Sequence, residues 1–415
     1  MNPCRCDLAV LGAGCFATLL VQRLRGLGWN GRVVLVDRRL RFDQAQRWCW
    51  WRHRNDPPAN VDGITREWSR YVFRTGNGRW QSRELRHWSY VHVDARRFFA
   101  AAHAAWQADE GIDLRPGVTA AGAIRRPDGR WSVSTSAGEL DAAMVVDCRS
   151  LARQLPRQEF APGDGWWQSF AGRVLPEAAA PLDERTFCLM DLDAGTRAAL
   201  GFGYLLGLGD GDTLVEYTMF DSGPVDRRRL NLALDDYLQR LGHGSGSARV
   251  LDEEHGWLPM TAGSGPAPSA SAGIDGPLRA GLAGGAARPA SGYAFGRMMR
   301  QASVLARALT GGEDPAPALA RAHHAWIDRL DGVFLRTLGC RPELARPSFA
   351  RLLEGLTGDQ LASFMAERPG PATLARVLCV LPKRPFLQGA WRQWRRRNEI
   401  APAEVELATM RRAPS

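Results

Sequence analysis

The sequence is almost without lysine: Lys383 is the only one among 54 lysine and arginine residues. Schiff-base chemistry, which needs a side-chain amine, could therefore use only this residue. The eight cysteines form no C-x-x-C pair, which argues against a zinc site and a dithiol redox centre and is typical of free thiols in a reducing cytosol. No metal site is expected, because His53 and His255 have no partners at metal-binding spacing.

Long apolar runs are also missing, since none approaches the ~20 residues that a transmembrane helix needs. The residues before Leu8 lead directly into an apolar strand and not into a signal peptide, so we expect a cytoplasmic protein. The formal net charge of +10 favours anionic partners, namely nucleic acid, acidic lipid or a phosphorylated cofactor. Nucleic acid is not expected, because no nucleic-acid-binding module is visible and the basic cluster lies near the C-terminus.

The N-terminal residues have the pattern of a βαβ unit. Residues 8–11 form an apolar strand, residues 15–27 have one apolar helical face, and residues 33–36 form a second apolar strand that ends at Asp37. This pattern is typical of FAD-binding and NAD-binding domains. A later strand that ends at Asp147, after a predicted β-meander, favours a two-part FAD-binding fold over a simple dehydrogenase.

The turn between the first strand and the helix predicts a pyrophosphate site. Gly12 permits a tight turn, Gly14 lets the backbone approach the ligand, and Ala17 allows close helix–strand packing. The pyrophosphate would lie at the helix N-terminus, where free N–H groups favour anions. Asp37 would accept a hydrogen bond from a ribose hydroxyl. The alternative is an α/β turn that binds no ligand.

The rest of the chain divides by composition. Residues 42–90 are rich in tryptophan and arginine and look irregular, whereas residues 185–220 have strand patterns. Residues 262–276 are rich in alanine, glycine, serine and proline, which predicts a flexible surface insertion. From about Arg297 onward the pattern is helical.

We therefore predict an α/β fold in which a two-part FAD-binding Rossmann-like domain carries a β-rich substrate domain and a helical C-terminal region. The FAD-binding domain is discontinuous and takes residues 1–150 and 250–310. The substrate domain takes residues 151–249, and the helical region takes residues 311–415.

Seven segments, in this order along the chain, resemble motifs of the flavin-dependent lycopene cyclase family, and the resemblance covers residues 7 to 390. They are Arg47-Trp48-Cys49-Trp50-Trp51, Trp167-Gln168-Ser169-Phe170-Ala171-Gly172, Met190-Asp191, Leu214-Val215-Glu216-Tyr217-Thr218, Glu254-His255-Gly256-Trp257-Leu258-Pro259-Met260-Thr261, the loop from Ala283 to Phe295, and Leu381-Pro382-Lys383-Arg384-Pro385-Phe386. Two positions depart from the family: Tyr217 replaces a second acid of some relatives, and Gly207 replaces a common proline.

The resemblance implies an enzyme that cyclises the acyclic end of a carotenoid polyene, such as lycopene, without net oxidation. A neutral acid protonates the terminal alkene, a neighbouring double bond attacks the cation, and loss of a proton completes the ring. Glu216 is the candidate acid, because burial in an apolar strand would keep it protonated; the alternative is a strand acid that faces solvent. Asp191 and Glu254 are candidate proton relays or bases, or structural hydrogen-bond partners.

The resemblance also implies that reduced FAD stabilises cationic charge and is not consumed, with NAD(P)H as a possible electron donor. Gly284, Gly285 and Gly292 would then let a second loop approach the flavin, unless they only make turns. Six tryptophans could line a polyene tunnel and stabilise a cation, or could be core aromatics. They are Trp48, Trp50, Trp51, Trp166, Trp167 and Trp257.

A basic stretch with aromatic residues lies near the C-terminus. It contains Leu387, Trp391, Trp394, Arg392, Arg395, Arg396 and Arg397. It could lie on an anionic membrane surface that holds the polyene substrate, or be a solvated helix end.

Two other functions compete with the cyclase. One is a flavin-dependent monooxygenase or reductase that acts on an isoprenoid or aromatic substrate, since fold alone does not separate these reactions. The other is a non-catalytic flavoprotein or lipid-binding protein. Glu216 discriminates among them, because only the cyclase requires this acid.

Overall fold

The computed structural model describes residues 3–43, 46–57, 59, 61–149, 160–176, 182–195, 200–209, 211–243, 249–261 and 276–395. The predicted insertion at 262–276 lies outside these residues, except for residue 276. The elements build three sheets and a C-terminal set of helices, in agreement with the predicted α/β fold class.

The first sheet contains the predicted βαβ unit. Its strands are β1 (Cys4–Leu11), β2 (Val33–Asp37), β8 (Ile112–Pro116), β9 (Ala120–Arg125), β10 (Trp131–Thr135), β11 (Gly138–Asp147) and β17 (Leu278–Arg279). The order is β8-β2-β1-β11-β10-β9, with β17 paired to β11. The strands β8, β2, β1, β11 and β17 run parallel, whereas β9 and β10 form an antiparallel meander with β11.

Helices pack on this sheet because both of its faces are apolar. They are α1 (Cys15–Gly26), α2 (Ala95–Gln107) and α4 (Phe295–Gly311). All five residues of β2 are buried, as expected for a parallel strand covered on both sides. The buried side of α1 includes Phe16, Leu20 and Leu24, which belong to the same core as Leu305 of α4. The sheet therefore positions the turn between β1 and α1 at its carboxyl edge.

The second sheet is mostly antiparallel and has the order β16-β12-β15-β14-β13-β5-β6. Its strands are β5 (Arg70–Arg74), β6 (Gln81–Glu84), β12 (Gly165–Pro176), β13 (Thr186–Asp191), β14 (Leu200–Gly209), β15 (Asp212–Asp221) and β16 (Asp252–Thr261). One face packs against α3 (Arg227–Arg240), whose Leu230, Leu234 and Tyr237 share a core with Ala171 and Val215 of the sheet.

The strands of a third sheet lie between β2 and β8 along the chain. It has the order β3-β7-β4 and consists of β3 (Arg47–His53), β4 (Ile64–Trp68) and β7 (Trp88–Asp94). The expectation that residues 42–90 are irregular is therefore wrong, since β3 to β6 and the start of β7 lie there. In this segment, arginines occupy exposed and half-buried positions between buried residues such as Trp68 and Phe73. They obscure the alternation of apolar and polar residues by which a strand is recognised.

The C-terminal part is helical, as the sequence predicts. It contains α5 (Pro315–Ala320), α6 (Ala325–Cys340), α7 (Ala345–Gly355), α8 (Gly358–Met365), α9 (Pro371–Val380) and α10, which covers residues 383–395. The division into domains stays a prediction. Two strands of the first predicted segment, β5 and β6, pair within the second sheet, and so does β16 from the segment 250–310.

Candidate active site

The glycine turn after β1 borders a large internal cavity. Gly12 has a φ of +96°, and a Cβ atom there would lie 3.3 Å from the backbone nitrogen of Arg149. Gly14 caps α1, whose first turn has no acidic residue and whose N-terminus has no side-chain cap. Gly12, Gly14 and Ala17 all line the cavity. The uncapped N–H groups and the helix dipole therefore favour an anionic group at this edge of the cavity.

Asp37, the last residue of β2, lines the same edge. Its Oδ2 accepts a hydrogen bond from the Ala13 N–H at 2.9 Å, and both of its oxygens accept from the Arg39 guanidinium. Burial raises the pKa of Asp37, but the hydrogen bonds from Arg39 and Ala13 lower it by more, so that the net shift is downward. Asp37 therefore stays ionised and acts as an acceptor beside the glycine turn.

A second segment, between β17 and α4, also reaches the cavity. Gly292 has a φ of +69°, and a Cβ atom there would lie 2.2 Å from Gln168 Oε1. This Oε1 atom is buried and has no hydrogen-bond partner within the described residues, and Gln168 lines the cavity. Gly284 and Gly285 do not line the cavity, and the Gly284 carbonyl accepts a hydrogen bond from Gln301. Of the three predicted loop glycines, the structure places only Gly292 at the cavity.

These groups fit a flavin dinucleotide. The N-termini of α1 and α4 border the cavity, and neither has a side-chain cap or an acidic residue in its first turn. Asp37 suits a ribose hydroxyl, and Gln168 Oε1 suits a ligand N–H. The cavity volume of about 2220 Å³ exceeds the ~300–1,000 Å³ typical of a small-molecule site, so a cofactor and a second ligand can occupy it together.

Two glutamates face this cavity from one row of the second sheet. Glu254 of β16 and Glu216 of β15 are both in register with Gly172 of β12, which lies between them. Side chains in register across a sheet share one face, so Glu254, Glu216 and also Tyr204 of β14 point the same way. A Cβ atom on Gly172 would lie 3.2 Å from Glu254 Cγ. Because Gly172 has no side chain, the space between Glu216 and Glu254 is left unfilled.

Burial dominates the electrostatics of this pair. It raises the pKa of Glu216, although a hydrogen bond from the Thr218 hydroxyl at 2.8 Å and the charge of Arg47 partly offset the effect. Burial also raises the pKa of Glu254, and the nearby Glu216 charge adds to the shift. Arg47 opposes it through an ion pair to Glu254 Oε2 at 3.5 Å. The arrangement favours a neutral carboxylic acid at neutral pH.

Three tyrosines continue the row toward the second cavity segment. Tyr204 O–H donates to Tyr90 at 2.9 Å, and the Tyr90 and Tyr293 hydroxyls are 2.7 Å apart. All three side chains line the cavity. Burial raises the pKa of Tyr204 and of Tyr90 well above its ordinary value, so these phenols stay neutral. They offer π faces to a cationic ligand without offering a basic oxygen.

Asp191 does not join this group. It is the last residue of β13, is fully buried and does not line the cavity. Its carboxylate accepts from Arg74 Nε at 2.8 Å and from the Tyr237 hydroxyl of α3 at 3.1 Å. The position thus supports a structural hydrogen-bond acceptor and not a proton relay to a cavity ligand.

The predicted tryptophans divide into two groups. Trp48 and Trp257 line the cavity, as does Trp167. Trp50 and Trp51 do not, because they pack in the interior against Phe295 and Tyr90. Trp166 is also a core residue that packs near Phe220. Three of the six side chains therefore line the cavity and three pack in the core, and contact with a polyene stays a prediction.

Sequence reasoning missed several residues of the site, of which Arg47, Gln168 and Tyr90 line the cavity. Arg47, Gly172 and Gln168 lie inside segments that resemble family motifs, yet nothing in those segments marks their roles. Tyr90 lies in the segment that was expected to be irregular, so its strand was not recognised. Among the described residues there is no cluster of histidine, cysteine or acidic side chains that could hold a metal ion. None of the described helices is long and apolar enough to cross a membrane.

Several solved structures have a similar fold. A geranylgeranyl bacteriochlorophyll reductase-like protein from Thermoplasma acidophilum has a TM-score of 0.56 and 16% identity, with 93% of this chain and 99% of that chain covered. A p-nitrophenol 4-monooxygenase from Pseudomonas putida has a TM-score of 0.53 and 14% identity, with 93% and 99% covered. The halogenase PltM, solved in complex with FAD, has a TM-score of 0.55 and 11% identity, with 92% and 87% covered. At these identities the likeness shows the fold alone, and it confirms the predicted fold class.

The sequence itself matches a family. No curated protein matches this sequence. The family described as "Lycopene cyclase protein" matches residues 7–390, which is nearly the whole chain, and this range contains both glycine segments and the glutamate row. The chain therefore belongs to the lycopene cyclase protein family.

Proposed function

We propose that the protein is an FAD-dependent cyclase that closes the acyclic end of a carotenoid polyene without net oxidation. The observation that carries this proposal is the row of Glu216 and Glu254 in one apolar cavity, on either side of Gly172. An acid-initiated cyclisation needs a protonated acid in a water-poor space, and burial supplies that state here. Family membership over residues 7–390 supports the same reaction class.

The proton steps balance within the cavity. The O–H bond of Glu216 breaks and a C–H bond forms at the terminal alkene, so the electron pair of the broken bond stays on the carboxylate. The neighbouring double bond of the substrate attacks the resulting cation and closes the ring. A carboxylate in the row, for which Glu254 is the candidate, takes a ring proton as the last double bond forms. The product is an isomer of the substrate.

The cofactor is assigned to the glycine turn and the second segment. Reduced FAD, when bound, would supply an electron-rich ring system that stabilises positive charge. Gly12, Gly14 and the α1 N-terminus would hold its pyrophosphate, and Asp37 a ribose hydroxyl. Gly292 and Gln168 would face its other end. NAD(P)H is the proposed electron donor.

The cavity walls suit a hydrocarbon cation. The aromatic rings of Trp48, Trp257 and the neutral tyrosines line the cavity together with aliphatic residues of α8 and α9. Aromatic faces attract cations, and the neutral phenols of Tyr204 and Tyr90 do not act as bases toward the cation. A monooxygenase or reductase would use the same fold, but neither reaction requires two buried carboxyl groups beside each other.

The test is anaerobic incubation of the purified protein with FAD, a chemical reductant and lycopene in liposomes. We expect a product of unchanged mass and shifted absorbance, formed with reduced but not with oxidised flavin. Glu216→Gln should lower the rate by about 10²–10⁴-fold, which is the range for loss of a general acid. Glu84→Gln is the matched control, because Glu84 is an arginine-paired glutamate at the exposed edge of the same sheet. A product of altered mass would assign the protein to oxygen or hydride transfer instead.

We further propose that the substrate enters from a membrane surface at α9 and α10. Leu378 and Leu387 both line the cavity and are 63% and 69% exposed, so the cavity reaches the protein surface there.

Trp391 and Trp394 follow on the same helical face as Leu387 and are 52% and 60% exposed. The Cζ atom of Arg395 lies 4.0 Å from the centroid of the Trp391 ring. Exposed aromatic and aliphatic side chains beside basic residues suit an anionic lipid surface. Arg396 and Arg397, also predicted to contribute, lie outside the described residues.

Vesicle binding tests this entry site. The wild-type protein should sediment with vesicles that contain anionic lipid and should be released by salt, because exposed charge interactions are screened. The double variant Trp391→Ala and Trp394→Ala should bind more weakly and lose conversion of membrane-dissolved lycopene. Trp29→Ala, which changes a partly buried tryptophan that packs against the first-sheet core, is the control. Equal binding by the double variant would reject this face.

A further inference from the structure

Arg47 is the cation that lies beside the glutamate row. It begins β3, its side chain is only 8% exposed, and it lines the cavity. Its Nη2 donates to Asp252 Oδ2 at 2.9 Å, and its Nη1 lies 3.5 Å from Glu254 Oε2. Asp252 also pairs with Arg96 at 3.1 Å. Arg47 therefore bridges two acids that are two residues apart on the edge strand β16.

Glu216 has a different set of contacts. Its neighbours on the cavity face of β15 are the apolar Leu214 and the hydroxyl-bearing Thr218, and its hydrogen-bond donor among the described residues is Thr218 Oγ1 at 2.8 Å. No arginine, lysine or histidine nitrogen of the described residues lies within ion-pair distance of its carboxyl group. Arg47 acts on Glu216 through space, whereas it acts on Glu254 by direct contact.

A count of charges gives the same distinction. Arg47 and Arg96 are two cations, and Asp252, Glu254 and Glu216 are three carboxyl groups. Among these five side chains, the charges balance when one carboxyl group carries a proton. In a buried site the proton is retained by the group that lacks a direct cationic partner, because its charged form is the least stabilised. That group is Glu216.

The other titratable side chains around the pair do not change this count. Burial raises the pKa of the Cys49 thiol of β3 to about 12, and it raises the pKa of Tyr204 of β14 well above its ordinary value. The pKa of Tyr293, in the second cavity segment, is raised by burial as well. Burial and the Arg47 charge lower the pKa of His92 of β7 to about 4. These four groups are therefore uncharged at neutral pH.

We propose that Arg47 is a positioning residue that holds Glu254 as a carboxylate and thereby assigns the single proton of the cluster to Glu216. The inference rests on the proposed function, because it gives the two glutamates the separate tasks of acid and base. Glu254, held ionised by Arg47 and facing Glu216 across Gly172, is then ready to accept a proton when Glu216 gives one. Without Arg47, both glutamates would be buried with no cation in contact and both would hold a proton.

The test counts protonated carboxyl groups by infrared difference spectroscopy of the C=O stretch in the FAD-loaded protein, without any polyene. At neutral pH we expect one buried protonated carboxyl band in the wild type. Glu216→Gln should abolish it, and Glu254→Gln should retain it. Arg47→Gln should double the band area, and adding Glu254→Gln to that variant should return it to the wild-type area. Arg47→Lys keeps the charge and should retain one band.

Arg70→Gln is the matched control, because Arg70 pairs with Glu84 at the exposed edge of the second sheet. It should leave the band unchanged. The inference is overturned if the wild-type band persists in Glu216→Gln and disappears in Glu254→Gln, or if Arg47→Gln leaves the band area unchanged. The comparison of the two glutamate variants does not depend on whether an Arg47 variant folds. Failure of lycopene conversion with this infrared pattern intact would reject the proposed function and leave the charge assignment standing.

Discussion

The two faces of the second sheet bury acids in opposite ways. On the face that packs against α3, Asp191 is surrounded by donors: Arg74 makes an ion pair with it and Tyr237 donates to it. On the cavity face, Glu216 has no ion-pair partner among the described residues and a single hydroxyl donor, while Glu254 shares Arg47 with Asp252. A buried acid with its charge matched locally is a structural element, whereas one without a matching cation keeps a proton that it can give away.

The alternation of the strands decides which acid has which environment. In β15, Val215 and Tyr217 point into the core shared with α3, and Leu214, Glu216 and Thr218 point to the cavity. The same alternation places Met190 at the cavity and Asp191 behind it. A difference of one residue along a strand therefore separates a candidate acid from a structural one.

The largest effect on stability should come from a substitution of Asp191 on the face that packs against α3. Asp191→Asn should lower the free energy of unfolding by about 3 kcal/mol, at the low end for a broken buried ion pair because Arg74 is 20% exposed. Urea denaturation of the purified variant measures this. Asp235→Asn breaks an ion pair of the 47%-exposed Asp235 with Arg173 and should cost no more than about 1 kcal/mol. Equal losses in the two variants would contradict the structural role of Asp191.

The sequence predicted the strands and the glycine turn better than it predicted what surrounds the acidic side chains. Periodicity gave β1, α1 and β2, because a parallel sheet needs continuous apolar strands and a helix needs one apolar face. The same periodicity shows that Glu216 shares a face with Leu214 and Thr218. It does not show whether that face meets solvent, a helix or a cavity, since this depends on elements far away in sequence.

Arg47 and Gly172 illustrate what the sequence alone leaves out. Arg47 is 205 residues before its hydrogen-bond partner Asp252, so no local spacing relates the two. Gly172 resembles any strand glycine until the register of three strands places it between two acids. The tryptophans show the same limit, because Trp48 and Trp50 lie on one strand and differ in whether they line the cavity.

A smaller effect should follow from filling the gap on the cavity face. Gly172→Ala would place a Cβ atom 3.1 Å from Leu214 Cδ1 and 3.2 Å from Glu254 Cγ, so these side chains must shift. We expect a loss of about 2 kcal/mol in the free energy of unfolding, within the range for overpacking. Cyclisation should fall more steeply than stability predicts, because Glu254 is displaced from Glu216. Gly207→Ala, in open space on β14, is the control, and an equal response of both variants would argue against the shared gap.

The smallest effect separates the two faces by their response to pH. The pKa of Glu216 is raised above its ordinary value of 4.5 by burial, so the folded protein keeps a proton that the unfolded chain releases as the pH rises above that value. The free energy of unfolding must then decrease as the pH rises through this window, by about 1.4 kcal/mol for each unit of upward shift.

Glu216→Gln has no proton to lose at this position, so its stability should fall less steeply between about pH 5 and pH 8 than that of the wild type. Urea denaturation across this range measures the two slopes, and Glu84→Gln should follow the wild type because Glu84 is an exposed acid of the same sheet. If the Glu216→Gln and wild-type curves are parallel, the folded state holds no extra proton on Glu216. The cavity face would then bury its acid in the same charge-matched way as the α3 face, and the proposed acid would have no proton to give.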